Sequence, residues 1–477
     1  MSTGTIDPPA GEGAADQAIA TEEAAIREWV LRNSGVRALV VSRFASVLGI
    51  TTLSYGAMIH LAAVGAPQIA ISALGATSYV AALAFGIGGG ALSEAMSKRR
   101  AMITAYALQS ATCFIVPTIW GPSVPALLIL IFLIAALGQV VTPAVKAATA
   151  LVTTTSQVAV VAAIISVAGG IGAAVGTAFL APFLVSTGSL RAVAYVSGAV
   201  LALGAVRAWW LPPEAQSASL RQGVRQVDWI AAAPTLRRTA GWVSANRQVG
   251  ATILVGSMVV ALFDGLNTLI PVYLRDVLDT DPTKAAFILA PGGIGFGLGT
   301  AIGPWWMNRR GERAVGVMAL AILGLGFALF GMIDVVTPLL APISPLRFLD
   351  RFGLEATPQV QAAGLIAILT AFGSTAAGAA VQTYVNRYVL LARQATTFGM
   401  QEVLDNTLTL FAILTFGGMA TTFGPRIVFL IAPPLLVLVV VWLIRIGFRI
   451  TAQDTPQTRA ILRALLTTTT RGEPGPQ

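Results

Sequence analysis

The chain has 477 residues, of which 56% are hydrophobic and only 11% charged, with a mean hydropathy of +0.78 and a net charge of +9. A soluble globular chain carries about twice that share of charge. The composition therefore excludes a water-soluble domain and points to a membrane. The positive balance does not imply nucleic acid, because the basic residues form no cluster on a soluble domain.

The first 25 residues are rich in Ala, Gly, Pro and acids. They have neither a basic start nor an apolar core, so they are not a secretory signal, and a disordered tail over 1–36 is expected. A membrane-crossing helix needs roughly 20 apolar residues. Twelve stretches qualify, at about 37–61, 69–91, 102–120, 125–147, 159–184, 193–211, 249–274, 285–306, 315–336, 363–384, 403–423 and 427–444. None alternates like a barrel strand, and a helix satisfies its own backbone hydrogen bonds in lipid. The expected fold is all-α, a polytopic membrane protein with 12 helices in two pseudo-symmetric six-helix bundles.

The longest polar interruption, 212–248, opens with Pro212-Pro213 and carries Arg221, Arg225, Arg237, Arg238 and Arg247. It separates a first bundle, 37–211, from a second, 249–450; a tail, 451–477, follows. The halves share a register. Arg37 and Val249 open the first span of each, and the basic hairpins Lys98-Arg99-Arg100 and Arg309-Arg310 follow the second, both offsets being about 210 residues. A longer loop, 337–362, lies in the second half. Its stretch from Leu346 to Phe352 has apolar residues at helical spacing and reads equally as an interfacial helix or an ordinary loop. A parallel six-plus-six repeat with a long middle loop suggests a transporter whose site lies between the halves, near the midplane.

An even number of spans puts both termini on one side, and that side holds 24 of the 30 Lys and Arg residues. The other holds Arg191, Arg275, Lys284, Arg347, Arg351 and Arg426. The asymmetry predicts cytoplasmic termini in a cell (inner) membrane. Trp120, Trp209, Trp210, Trp305, Trp306 and Trp442 fall at expected span ends, where an indole prefers the headgroup level. The single cysteine, Cys113, excludes an internal disulfide and reads as packing.

After the second span the chain reads Gly90-Ala91-Leu92-Ser93-Glu94-Ala95-Met96-Ser97-Lys98-Arg99. This resembles the loop signature of the major facilitator superfamily, G-x-L-a-D-r-x-G-r-k. Gly90, Leu92, Lys98 and Arg99 fit, whereas Glu94 replaces the aspartate, Ala95 the first arginine and Ser97 the second glycine. Gly172 and Gly176 resemble the antiporter glycine motif of that superfamily, with Ala173 where proline is expected and Thr177 where glycine is; a small-residue face for helix packing explains them as well. Ser46-Val47-Leu48-Gly49, Pro143-Ala144, Leu151-Val152, Arg393 and Phe398-Gly399 resemble the drug-exporter branch. Ile50 stands where that branch often has aspartate, which removes any proton role there. The resemblance implies alternating access and proton-coupled export of a small, fairly apolar or drug-like molecule by a monomer, with no cofactor. Uptake or facilitated diffusion of a polar metabolite, and a non-transporting membrane enzyme or scaffold, stay open as alternatives.

Ionisable groups inside a bilayer are costly and therefore candidate functional sites. Asp264 lies near the centre of the seventh span, with Asn267 at i+3 and Pro271 at i+7 on the same face; the proline is expected to loosen the helix there. Asp264 is the candidate for the coupled proton or a cationic substrate, the alternative being a hydrogen bond that holds two helices together. His60, the only histidine, follows Ser42, Ser46, Gly49 and Gly56 along one stripe, beside either a cavity or a partner helix. Arg43, Gln139, Gln382 and Asn386 complete the substrate and coupling candidates; Arg43 reads first as snorkelling. Gly90, Glu94, Lys98, Arg99, Glu402 and Asp405 are candidates for a cytoplasmic gate, the last two from the start of the eleventh span. Asp334 is expected to be solvated. There is no nucleotide loop, catalytic pair or metal-ligand cluster in the sequence.

Overall fold

A computed structural model of the chain describes residues 32–121, 123–153, 157–213, 241, 247–350, 356–389 and 391–447. The N-terminal tail, most of the middle loop 212–248 and the C-terminal tail lie outside the described residues, as do the side chains of Arg393 and Trp442.

Among the described residues the regular structure is helical throughout. The first six long helices are α1 (Ser34–Ala63), α2 (Gln68–Ala95), α3 (Lys98–Trp120), α4 (Val124–Val152), α5 and α6 (Leu190–Ala208). Helix α5 runs as Val158–Val175, a π turn at Gly176–Leu180, and Ala181–Thr187. The last six are α7 (Arg247–Asn267), α8 (Ala286–Arg310), α9 (Glu312–Gly331), α10 (Pro358–Tyr388), α11 (Leu391–Phe423) and α12 (Pro425–Gly447). Eleven of these are long and apolar enough to cross a bilayer over their described residues, and the apolar Pro425–Leu435 opens the twelfth. Side chains set the ends of several. The Asn33 Oδ1 accepts from the Gly35 and Val36 amides at the start of α1. The Ser97 hydroxyl accepts from the Arg100 amide at the start of α3. Each satisfies amides that a helix leaves without internal partners.

Helix pairing repeats between the halves. Within the first six, α1 packs on α5 and α6, α2 on α4, and α3 on α4 and α6. Within the last six, α7 packs on α11 and α12, α8 on α10, and α9 on α10 and α12. These are the same five pairings shifted by six helices. Small residues set the closest approaches: at Gly295 of α8 an added Cβ would run into the backbone carbonyl of Ile368 on α10. The stripe of α1 faces a partner helix and not a cavity, since Gly49 meets Leu201 and Gly56 meets Val193, both on α6.

Three expectations are corrected. Helix α11 begins at Leu391 and not near 403, so Glu402 and Asp405 stand well inside it and not at its positive end. The ninth span stops at Gly331, and a separate helix, Ile333–Leu340, follows. Asp334 in its first turn is exposed, as expected, and also pairs with Arg426 at 2.5 Å and with the Gln359 amide nitrogen at 3.1 Å. Trp306 is drawn inward and stacks on Phe372, 6.0 Å between ring centres, while Trp305 stays exposed under Arg309. At Gly90 an added Cβ would meet open space; the glycine that admits a neighbour is Gly89, against the backbone of Gln139 on α4. In the long loop the structure forms one helical turn, Arg347–Asp350, with Leu346 buried and Phe348 exposed.

Candidate functional site

The first six helices and the last six enclose a cavity of about 780 Å³, mainly apolar in its lining. Small-molecule sites occupy roughly 300–1,000 Å³. Helices α1, α2 and α5 form one wall and α7, α8, α9 and α10 the other. Phe263, Phe296, Phe327 and Phe330 supply aromatic surface. Phe330 also packs in a ring cluster with Tyr273 and Phe429, at 5.6 and 5.5 Å, and the Tyr273 hydroxyl donates to the Phe330 carbonyl at 2.6 Å. That cluster stiffens the end of the cavity away from the basic hairpins.

Asp264 supplies the one carboxylate among the lining residues. It sits one turn before α7 breaks. The chain turns at Thr268 and Leu269, and a short helix, Ile270–Asp276, starts with Pro271 in its first turn. The expected loosening is therefore a true break, because proline has no N–H to continue the ladder. At the break the Thr268 hydroxyl donates to the Asp264 carbonyl at 2.9 Å, and the Asn267 side chain donates to the Phe263 carbonyl at 2.9 Å.

The Tyr79 hydroxyl on α2 donates to Asp264 Oδ2 at 2.8 Å. This bond joins the first six helices to the last six. One turn away on the same face of α2, Gly75 would place a Cβ only 2.7 Å from Thr268 Cγ2. The pair Gly75 and Tyr79 thus interlocks with Thr268 and Asp264, each pair four residues apart on one face. Tyr55 on α1 also lines the cavity, and its buried hydroxyl has no hydrogen-bond partner in the structure. An unmatched buried hydroxyl is destabilising unless a ligand group meets it. The arrangement offers one acid, one free phenol and an aromatic wall.

Of the residues singled out in the sequence, Asp264 and Asn267 line the cavity. The others lie outside the lining. His60 is half-buried near the end of α1. Arg43 is half-buried low on α1, its Nε 3.5 Å from where a Cβ on Gly169 would stand. Gln139 of α4 packs against Gly89 of α2 and donates to the Ala135 carbonyl of its own helix at 3.4 Å. Gln382 and Asn386 are exposed, the Asn386 carbonyl accepting from Gln394 at 2.9 Å. Gly172 and Gly176 press α5 onto α1, at the Phe44 carbonyl and at Thr51.

Among the gate candidates, Lys98, at the start of α3, donates to the carbonyls of Ser93, Glu94 and Met96 and so covers the end of the preceding helix α2. Arg99 lies over the Trp209 ring at 5.3 Å. Glu94 and Glu402 are exposed, and Asp405 is half-buried. In this conformation the two sets of helices meet at the face opposite the basic hairpins. There Arg275 donates to the Ala62 carbonyl at 2.9 Å, and Gly417 of α11 packs on Ser72 of α2. Tyr79, Tyr55 and Thr268 escaped the sequence reading. A tyrosine four residues after a glycine in an apolar span is the cue that marks Tyr79.

No curated protein matches this sequence. Solved structures do match its fold. The nucleoside transporter NupG superposes with a TM-score of 0.62 at 14% identity, over 87% of this chain and 99% of that one. A POT family transporter in complex with 5-aminolevulinic acid gives 0.63 at 10% identity, over 87% and 96%. A bacterial homolog of the human lysosomal transporter Spinster, in an inward-facing and occupied conformation, gives 0.61 at 14% identity, over 90% and 98%. At such identities the likeness is one of fold. The profile of the Major Facilitator Superfamily matches residues 39–356, and together with the repeated helix pairing around a central cavity this makes the chain a member of that superfamily, a membrane transporter and not an enzyme.

Proposed function

We propose that the protein exports small, fairly apolar or drug-like molecules by proton antiport, as the drug-exporter branch does, with Asp264 carrying the proton. The single observation behind this reading is the Tyr79–Asp264 hydrogen bond at 2.8 Å, which ties the only carboxylate of the cavity lining to the other set of helices. A charged carboxylate makes a stronger hydrogen bond than a neutral one. Deprotonated Asp264 holds Tyr79, and with it α2, against α7. Protonation weakens that hold and lets the sets of helices part. The moving units are 37–211 and 249–450, linked by 212–248, and they rock about the midplane site. The basic face is cytoplasmic, in the cell (inner) membrane, and the working unit is a monomer. The mainly apolar wall favours a greasy substrate over a sugar or an anion, which would need more inward polar groups.

The test uses purified protein in proteoliposomes with an imposed pH gradient and a lipophilic cationic dye as probe. Asp264→Asn is expected to abolish gradient-driven dye accumulation while dye exchange at equal pH persists. Accumulation at the wild-type rate in Asp264→Asn would overturn the assignment.

A further inference from the structure

Shifting the helix numbering by six exchanges the α2–α11 seam with the α5–α8 seam, so the two are structural equivalents. They are built differently. Helices α2 and α11 pack closely on one another. Helix α5 meets α8 chiefly through the π turn Gly176–Leu180, and its last segment, Ala181–Thr187, meets the turn Pro282–Ala285. Nearer the basic face the Phe296 ring faces Gly170, where a Cβ would stand 3.6 Å from the ring. Below that point Val167 on α5 and Gly297, Thr300 and Ala301 on α8 line the cavity and are exposed, with no side chain of the facing helix covering Gly297. Val167, Ile171 and Phe296, which line the cavity, are 56%, 52% and 51% exposed, so the cavity is open beside this seam.

The chemistry of the seams differs too. Neither α5 nor α8 carries an acid or a base between Val158 and Thr187 or between Ala286 and Met307. The α2–α11 seam carries Glu94, Gln401, Glu402 and Asp405 toward the same face. A water-filled mouth suits polar walls, whereas a gap between two apolar helices is filled at no penalty by hydrocarbon. Its depth leads to the cavity that holds Asp264.

We propose that the α5–α8 seam is a lateral portal open to the leaflet on the basic side, and that it admits a membrane-dissolved, single-chain amine. The alkyl chain lies along Val167, Ile171 and Phe296, and the ammonium group reaches Asp264. The transport of such a molecule rests on the function proposed above; the opening of the seam to lipid does not.

Two measurements separate these. In the first, Gly297→Cys carries a bimane label in liposomes. Cys113 is buried and adds no background, and a side chain at Gly297 meets open space. Lipids with a nitroxide on the acyl chain are expected to quench the label and soluble iodide is not; the reverse pattern overturns the portal. In the second, proteoliposomes transport dansyl-tagged dodecylamine or its propylamine counterpart. Gly297→Trp is expected to slow the dodecyl probe about tenfold and the propyl probe less than about twofold. Ile294→Trp, on the lipid-facing side of α8 and outside the cavity lining, is expected to slow neither. Equal slowing of both probes by Gly297→Trp, or slowing of neither, overturns the portal. Failure of the wild-type protein to move any amine, with lipid quenching intact, overturns the transport reading and leaves the seam assigned.

Discussion

The hydroxyl of Tyr79 and the carboxylate of Asp264 are 185 residues apart in the chain and 2.8 Å apart in space. A hydrogen bond to an ionised group contributes about 1.5–3 kcal/mol, a neutral one about half that. Tyr79→Phe should therefore destabilise the conformation closed at the face opposite the basic hairpins. Spin labels at Thr187→Cys and Thr283→Cys would report this by pulsed electron resonance: the long-distance population should rise by about tenfold for each 1.4 kcal/mol lost. An unchanged distance distribution in Tyr79→Phe would show that the bond does not hold the halves. Asp264 itself was legible in the sequence, because a carboxylate amid apolar residues is conspicuous. Its partner was not, since tyrosines are common at membrane interfaces and the glycine four residues before Tyr79 is one of 48 in the chain, too weak a mark to single it out.

At the scale of single helices, glycine placement decides how closely neighbours approach. Gly295 and Gly293 lie two residues apart on α8 and face opposite fates. Gly295→Ala would drive a methyl group into the Ile368 carbonyl, and overpacking of this kind destabilises by about 1–3 kcal/mol. Gly293→Ala meets open space and should be neutral or stabilising by up to about 1 kcal/mol, the helix-propensity difference. Thermal unfolding in detergent should lower the melting temperature for the first and leave or raise it for the second. The helices themselves were legible to within a few residues where loops are short, as at α3, α4 and α12. The start of α11 was misplaced because polar residues such as Gln394, Gln401 and Glu402 lower its hydropathy without breaking the helix.

For the whole molecule, the charge asymmetry carries the orientation. With Cys113 buried, cysteines introduced elsewhere can be read without background. A membrane-impermeant maleimide added to intact cells should label Lys284→Cys and should label Arg310→Cys only after the cells are broken. The opposite pattern would invert the proposed topology and, with it, the direction of transport. The contacts across the halves belong to this scale as well. Two of the gate residues expected on the basic face contact neighbours within the first six helices, Lys98 capping α2 and Arg99 covering Trp209. The closure lies at the other face, through Arg275 and the Ser72–Gly417 contact. A transporter that alternates can close one face at a time, so loop residues are idle in one of its conformations.

The sequence by itself determined that the chain is helical and membrane-embedded, that it is built as two sets of six helices, and that an acid stands in the seventh. Those properties follow from hydropathy, length and charge, which accumulate along the chain and need no partner to be read. The cavity, the bond from Tyr79, the unmatched Tyr55 and the open α5–α8 seam were decided only by the tertiary structure. In lipid every face of a helix is apolar whether it meets lipid, protein or substrate, so the pattern that marks a buried face in a soluble protein is missing here, and helix facing is fixed by packing between segments remote in the sequence.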